Sequence, residues 1–253
     1  MHKAKISITF DDGNDNTYTN AYPIMRKYGL IGTVFVYTYA LGTNGKMTYA
    51  QLAELQAYGF EVGSHTANNK TMTTLTESEA RAELVDSKQA LEQNGLNVKS
   101  FAPPSRLWNN SLATLAEQEG YKAVRAVSNS NAITQSYQIP NLLYVNNGTP
   151  SMSTLNINFD TVKGWINKAI NEGAWINLLF HHVADSLDSY TTSLSEFEAI
   201  CSYVKFRKNK GDITDDTFYN SLFPTKNILN LELANRVLMS DRSLTADRIL
   251  PAE

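Results

Sequence analysis

Ile6, Ile8 and Phe10 alternate with Ser7 and Thr9, the period-two pattern of a strand that buries one face, and the run ends on Asp11, Asp12 and Gly13. Similar punctuation recurs along the chain. Residues 19–28 carry a helical pattern that stops at Gly29, and residues 32–37 read as a buried strand. A helix over 48–58 closes at Gly59, followed by a short strand, 60–62, that leads into Gly63-Ser64-His65-Thr66. Thr76 with Glu79 forms a capping box, in which each side chain satisfies a backbone N–H of the other end, and it opens a helix to about residue 94. Residues 100–102 make a brief strand that Pro103-Pro104 must end, because proline offers no N–H to a ladder. Asn109 caps a helix to 119, and strands follow at 122–127 and 142–145. A helix over 159–172 precedes a strand over 174–182 that finishes on His181-His182. Ser193 and Glu196 form a second capping box, opening a helix to about 209.

Helices and strands in alternation predict an α/β fold with a largely parallel sheet or barrel. In such folds every strand exit opens at one end, where sites are built. Asp11, Asp12, His65, the Pro103-Pro104 turn, His181 and His182 all follow strands, so they are expected to converge. Residues 1–223 read as one main domain. Beyond Pro224, residues 224–253 space Leu, Ile and Val helically between charges, and are expected to be a docked helical extension.

At 253 residues with 42% hydrophobic content, the chain is long enough to bury one large core. A net charge of -3 without a basic run disfavours nucleic acid and anionic membrane surfaces as partners. No apolar run approaches the roughly 20 residues of a membrane span, and no signal peptide precedes the first strand. The single cysteine, Cys201, rules out an internal disulfide, which suits a cytosolic protein or a secreted one that needs no staple. Localisation is left open by composition.

The histidines sharpen the chemistry. Of four, three sit at strand exits in register with the paired acids. Adjacent carboxylates beside imidazoles suit a mononuclear metal site, where one acid binds the cation and its neighbour takes a proton from water acidified by it. They do not suit a glycosidase, whose carboxyl groups flank a sugar about 5 to 9.5 Å apart.

Thr9-Phe10-Asp11-Asp12-Gly13 and Gly63-Ser64-His65-Thr66, with Phe101-Ala102-Pro103-Pro104 and Leu178-Leu179-Phe180-His181, make residues 4–222 similar to the polysaccharide deacetylases, also called NodB-homology domains or carbohydrate esterase family 4. The resemblance implies a distorted (β/α) barrel of about seven strands. It implies removal of acetyl groups from N-acetylglucosamine polymers such as peptidoglycan or chitin, or from acetylated xylan, with a divalent metal: zinc first, cobalt or nickel as alternatives. By the same resemblance Asp11 is the catalytic base, Asp12 and His65 are metal ligands, and His181 is the acid that protonates the leaving group. Leu179 walls the acetyl pocket and the Ser105 N–H lies in the oxyanion hole. Apart from the resemblance, Pro104 is a candidate on the substrate side, and Trp108, just after the Pro-Pro turn, is the aromatic best placed to stack on a sugar ring. His182 is a bystander, since strand alternation turns it away. An extracellular or cell-wall location is favoured by the family.

The chain departs from the family pattern at three places. Asn69 stands where a second metal histidine is usual, and an amide oxygen is a poorer zinc donor than imidazole. Ala102 replaces the arginine that orients the base, a role for which Arg125 is the first candidate and Arg106 the second. Ser105 takes the place of a tyrosine. Two competing functions follow: a catalytically impaired carbohydrate-binding protein on the same fold, and an amidase of small C–N substrates.

Overall fold

The computed structural model describes residues 3–106, 109–125, 136–139, 142–145, 158–185 and 190–223, the two short segments 136–139 and 142–145 in backbone only. The expected extension over 224–253 and the candidate Trp108 lie outside the described residues.

In chain order the elements are β1 (Ala4–Phe10), α1 (Tyr22–Lys27), β2 (Thr33–Val36), α2 (Tyr49–Tyr58), β3 (Glu61–Ser64), α3 (Glu77–Gln93), β4 (Ser100–Phe101), α4 (Asn110–Gln118), β5 (Ala123–Arg125), β6 (Ser136–Ile139), β7 (Leu142–Val145), α5 (Phe159–Glu172), β8 (Trp175–Phe180), β9 (His182–Val183), β10 (Thr191–Thr192), α6 (Leu194–Asn209), β11 (Ile213–Asp215) and α7 (Phe218–Leu222). One sheet runs β11-β1-β2-β3-β4-β5-β7-β6, with β8 pairing β1 on its other side. All of its pairings are parallel except β6 with β7. This is the expected distorted β/α barrel, extended by the antiparallel β6 and by β11. The latter pairs with the entry half of β1 (Ala4 with Ile213), while β2 takes the exit half (Phe10 with Val34). No helix among the described residues is long and apolar enough to cross a membrane.

Alternation in β1 sorts its residues as the sequence predicts. Ile6, Ile8 and Phe10 are buried in the main core, where Phe10, Phe180 and Phe197 bring their ring centroids to 5.1–5.8 Å. Helix α6 meets that layer through Phe197, Ile200, Cys201 and Val204, a stripe at helical spacing. On the other face Ser7 shares a hydrogen bond with Ser221 at 3.0 Å and accepts one from Trp175 Nε1 at 3.1 Å. A small second cluster, Phe35, Ala102, Ala123 and Phe218, fills the space between. Gly63 has to be glycine there: a Cβ would lie 2.6 Å from the Phe35 ring.

The strand-entry end is floored by α7. Glu61, at the start of β3, accepts hydrogen bonds from Thr33 Oγ1 at 3.0 Å, from the Tyr219 N–H at 2.7 Å and from Ser100 Oγ. Thr33 Oγ1 in turn accepts the Phe218 N–H at 2.8 Å. Helix N-termini leave N–H groups without internal partners, and these two contacts satisfy a pair of them.

Two expectations need correction at the level of elements. The expected helix over 19–28 begins as a π turn, Thr17–Ala21, before α1. Pro23 explains the wider turn, because its ring cannot share space with the carbonyl four residues earlier. The capping box at Ser193 is only half formed. Ser193 Oγ accepts the Glu196 N–H at 3.2 Å, but the Glu196 carboxylate is taken by the Phe159 N–H, where it serves the start of α5 instead.

Candidate active site

Parallel strands deliver the predicted residues to one end. Asp11 and Asp12 follow β1, His65 follows β3, Ala102 through Ser105 follow β4, Arg125 ends β5 and His181 follows β8. Four residues other than glycine have positive φ among the described residues: Asp12 (72°), Thr66 (71°), Asn69 (59°) and Ser105 (58°). All four lie in these exit loops. Strained backbone of this kind persists where the surroundings hold it, and it gathers at functional sites.

Asp11 is 4% exposed and Arg125 is fully buried. Arg125 Nη2 donates to both carboxylate oxygens of Asp11, at 2.6 and 2.7 Å, and its guanidinium lies 4.9 Å over the Phe35 ring. Ala102, buried just after neighbouring β4, brings no long side chain of its own to this place. Burial alone would push the Asp11 carboxyl up. The Arg125 charge, followed by His65 and His181, outweighs it and holds Asp11 below the ordinary carboxylate range.

His65 Nδ1–H donates to the Ala102 carbonyl at 2.7 Å. That bond fixes the tautomer, so Nε2 carries the lone pair, and Nε2 faces Asp12 Oδ1 at 3.6 Å. Asn69 Nδ2 donates to the same Asp12 oxygen at 3.5 Å, so turning the amide over would bring its oxygen to that place. Two ligands that each bond one ion at about 2.0–2.2 Å sit roughly 3–3.5 Å apart, so the Asp12 and His65 atoms are spaced for a shared cation. Imidazole, carboxylate and amide oxygen make a donor set that fits a divalent ion with open positions. Among the described residues no cluster of three His, Cys, Asp or Glu side chains forms here or elsewhere.

His181 stands beside this pair. Burial lowers its imidazole below the ordinary value, against the pull of Asp11 and Asp12, and Arg125 and His65 add to the lowering. Its ring centroid is 5.5 Å from that of Tyr190. Leu179 is buried two residues earlier on β8, opposite Thr9 of β1. His182 accepts from Asn16 Nδ2 at 2.9 Å, apart from the acids, as the strand alternation predicts. Pro104 is buried and Ser105 exposed, with Ser105 Oγ 2.8 Å from Thr71 Oγ1. The side chain of Arg106 lies outside the described set.

Sequence reasoning missed the brackets around these residues. Glu83 of α3, 3% exposed, accepts the Asn68 N–H at 2.7 Å and Asn68 Nδ2 at 2.9 Å, and its Oε1 lies 3.5 Å from Lys70 Nζ. It pins the loop that carries His65 and Asn69. A signal was there to read: Glu83 shares the buried stripe of Ala80, Leu84, Ser87 and Leu91, and a carboxylate on an apolar face must have a partner.

Residues 1–124 match the family model described as polysaccharide deacetylase. A curated relative, the peptidoglycan-N-acetylglucosamine deacetylase of Bacillus cereus, is 29% identical over 47% of this chain and 54% of its own length. The bifunctional xylanase/deacetylase of Pseudobutyrivibrio xylanivorans is 28% identical over 42% of this chain and 17% of its own length. The chain thus spans about half, or less, of the curated relatives that it matches. In fold, it resembles the family 4 carbohydrate esterase from Streptomyces lividans, solved with acetate, at a TM-score of 0.58 and 18% identity over 85% of this chain and 93% of that one. Over residues 1–124 the chain thus resembles the polysaccharide deacetylase family, and its distorted barrel is the fold of the family 4 carbohydrate esterase.

Proposed function

We propose that the protein is a metal-dependent hydrolase that removes acetyl groups from an acetylated polysaccharide. The observation that carries this reading is the pairing of two arrangements one residue apart: Asp12 and His65 Nε2 spaced for one cation, and Asp11 clamped as an ionised base by Arg125. The activities named for relatives, on peptidoglycan N-acetylglucosamine and on xylan, support the substrate class.

A divalent ion held by Asp12, His65 and Asn69 would supply a Lewis acid that brings the pKa of water from about 15.7 towards 7. Asp11 requires that help. A carboxylate held low by Arg125 is too weak a base for ordinary water, yet it is ionised throughout the neutral range and ready to accept a proton from an acidified one. His181, in its protonated form, would deliver a proton to the departing amine or alcohol. Leu179 offers the apolar wall for the acetyl methyl, and the Ser105 N–H a donor to the oxygen that gains charge. Zinc, cobalt and nickel all accept such donors, with the amide favouring the less thiophilic choices. The family resemblance also favours action outside the cell or at its wall.

Acetate release from acetylated chitooligosaccharide and acetylated xylan tests the reading, with zinc, cobalt or nickel added back to chelator-treated protein. Release with at least one ion, and none in the chelated control, is expected. No release with any of them would refute it. Asp11→Asn should abolish turnover while metal binding persists, since the amide cannot accept the proton.

A second reading has one observation in its favour. A solved carbohydrate esterase family 4 pseudoenzyme shares this fold at a TM-score of 0.60 and 18% identity over 86% of this chain, so the barrel outlives the activity in at least one protein. The buried Asp11–Arg125 pair argues against that outcome here, because a pure sugar binder has no use for a base kept ionised at the cost of desolvation. Sugar binding by calorimetry without acetate release would decide for it.

A further inference from the structure

On the reading above, the reaction needs the turn that carries Asp12 and the strand end that carries His181 held at a fixed separation. They come from segments far apart in sequence. We propose that Asn14 and Lys46 are the positioning residues that brace one against the other.

Asn14 is 2% exposed and uses both ends of its amide. Its Nδ2 donates to the His181 carbonyl at 3.2 Å, and its Oδ1 accepts from Lys46 Nζ at 2.6 Å. Lys46 Nζ donates as well to the Asp12 carbonyl at 3.1 Å, and it lies 4.7 Å over the Tyr37 ring. One ammonium therefore grips the backbone of a metal-binding residue, and one amide carries the grip across to the backbone of the acid. The backbone reinforces the first half: the Met47 N–H donates to the Gly13 carbonyl at 2.9 Å, and the Asp15 N–H to the Gly45 carbonyl at 3.0 Å.

Such a brace has work to do. Asp12 has φ 72° and Gly13 φ 67°, and a left-handed aspartate does not hold itself in place. A lysine suits the task because its compact head has three donors, enough for two oxygens with a ring face beneath the charge. Neither residue contacts the reacting atoms; both act through the groups they hold. Asn16 and Asn20 support the second half, Asn16 Oδ1 accepting the Val183 N–H at 3.4 Å and Asn20 Nδ2 donating to the Val183 carbonyl at 2.8 Å, but Asn14 alone of the three meets Lys46.

The full chain and its Lys46→Met, Lys46→Arg and Asn14→Asp variants test this by three readouts: acetate-release kinetics, cobalt titration followed by its visible spectrum, and amide hydrogen exchange. Lys46→Met should lower kcat about 10- to 100-fold with KM little changed, since sub-ångström misplacement costs on that scale. It should also alter the cobalt spectrum and speed exchange in 12–14 and 181–183 together. Lys46→Arg, which can still reach both oxygens, should recover most of the loss. Asn14→Asp keeps an acceptor for Lys46 and loses the donor to His181, so exchange should quicken at 181–183 only and cobalt binding should persist. Wild-type kinetics in Lys46→Met, or exchange that rises there in residues 42–47 alone, would overturn the proposal. If the wild type binds no cobalt and releases no acetate, the hydrolase reading fails, while joint or separate exchange of the two segments still decides whether they are braced.

Discussion

On the proposed mechanism Arg125 holds the base, and its removal has a sign that can be worked out. Arg125→Ala deletes both hydrogen bonds to a carboxylate that stays buried, and with them the leading charge that lowers Asp11. The Asp11 pKa then rises, and because the reaction needs the ionised base, the acid limb of the pH–rate profile moves to higher pH. We expect that shift together with a loss in kcat of about 10²-fold. Arg125→Lys, which keeps the charge without the same planar donors, should return part of the shift; a limb that stays in place in Arg125→Ala would contradict the role. At Asn69 the expectation runs the other way. Asn69→His supplies an imidazole at a left-handed position that histidine tolerates. Zinc affinity should rise on the order of 10²-fold, a few kcal/mol beside the roughly 10–16 kcal/mol of a structural zinc site. Competition against a chromophoric chelator measures it, and an unchanged affinity would show that Asn69 does not face the ion.

Among the elements, the floor of the barrel carries its own test. Burial pushes the Glu61 carboxyl above its ordinary 4.5, against the pull of Ser100, Tyr219 and Thr33. A raised folded value means that the folded state keeps a proton which the unfolded chain has released. Its contribution to stability is then fully present below about 4.5 and is lost as pH rises through the folded value. Glu61→Gln removes that loss, so its Tm relative to wild type should be higher at pH 7 than at pH 4.5. An offset that does not change with pH would contradict the assignment. This floor was not legible beforehand, because β11 and α7 are three and five residues long and meet β3 only through the fold. The exits of β1, β3 and β8 were legible, since alternation and glycine stops operate locally. Asn14 and Lys46 were not, as each finds its partner across a loop and leaves no period in the sequence, whereas Glu83 was marked by its place on the apolar stripe of α3. Glu196 illustrates the limit: a local motif predicted one partner for it, and tertiary structure supplied another.

For the molecule as a whole, the parallel barrel converts scattered motifs into one site. Asp11 and Arg125 are 114 residues apart in sequence and meet at 2.6 Å. Resemblance to a family, with its departures at Ala102 and Asn69, pointed to these residues, and the geometry adds the contact itself: the guanidinium reaches Asp11 from β5. The proposed cation site has a single imidazole. X-ray absorption at the cobalt edge of the loaded protein tests that claim most directly. The account predicts a first shell of oxygen and nitrogen donors with one imidazole per ion, lost in His65→Ala and kept in His181→Ala. Two imidazoles per ion, or a shell unchanged by loss of His65, would contradict it.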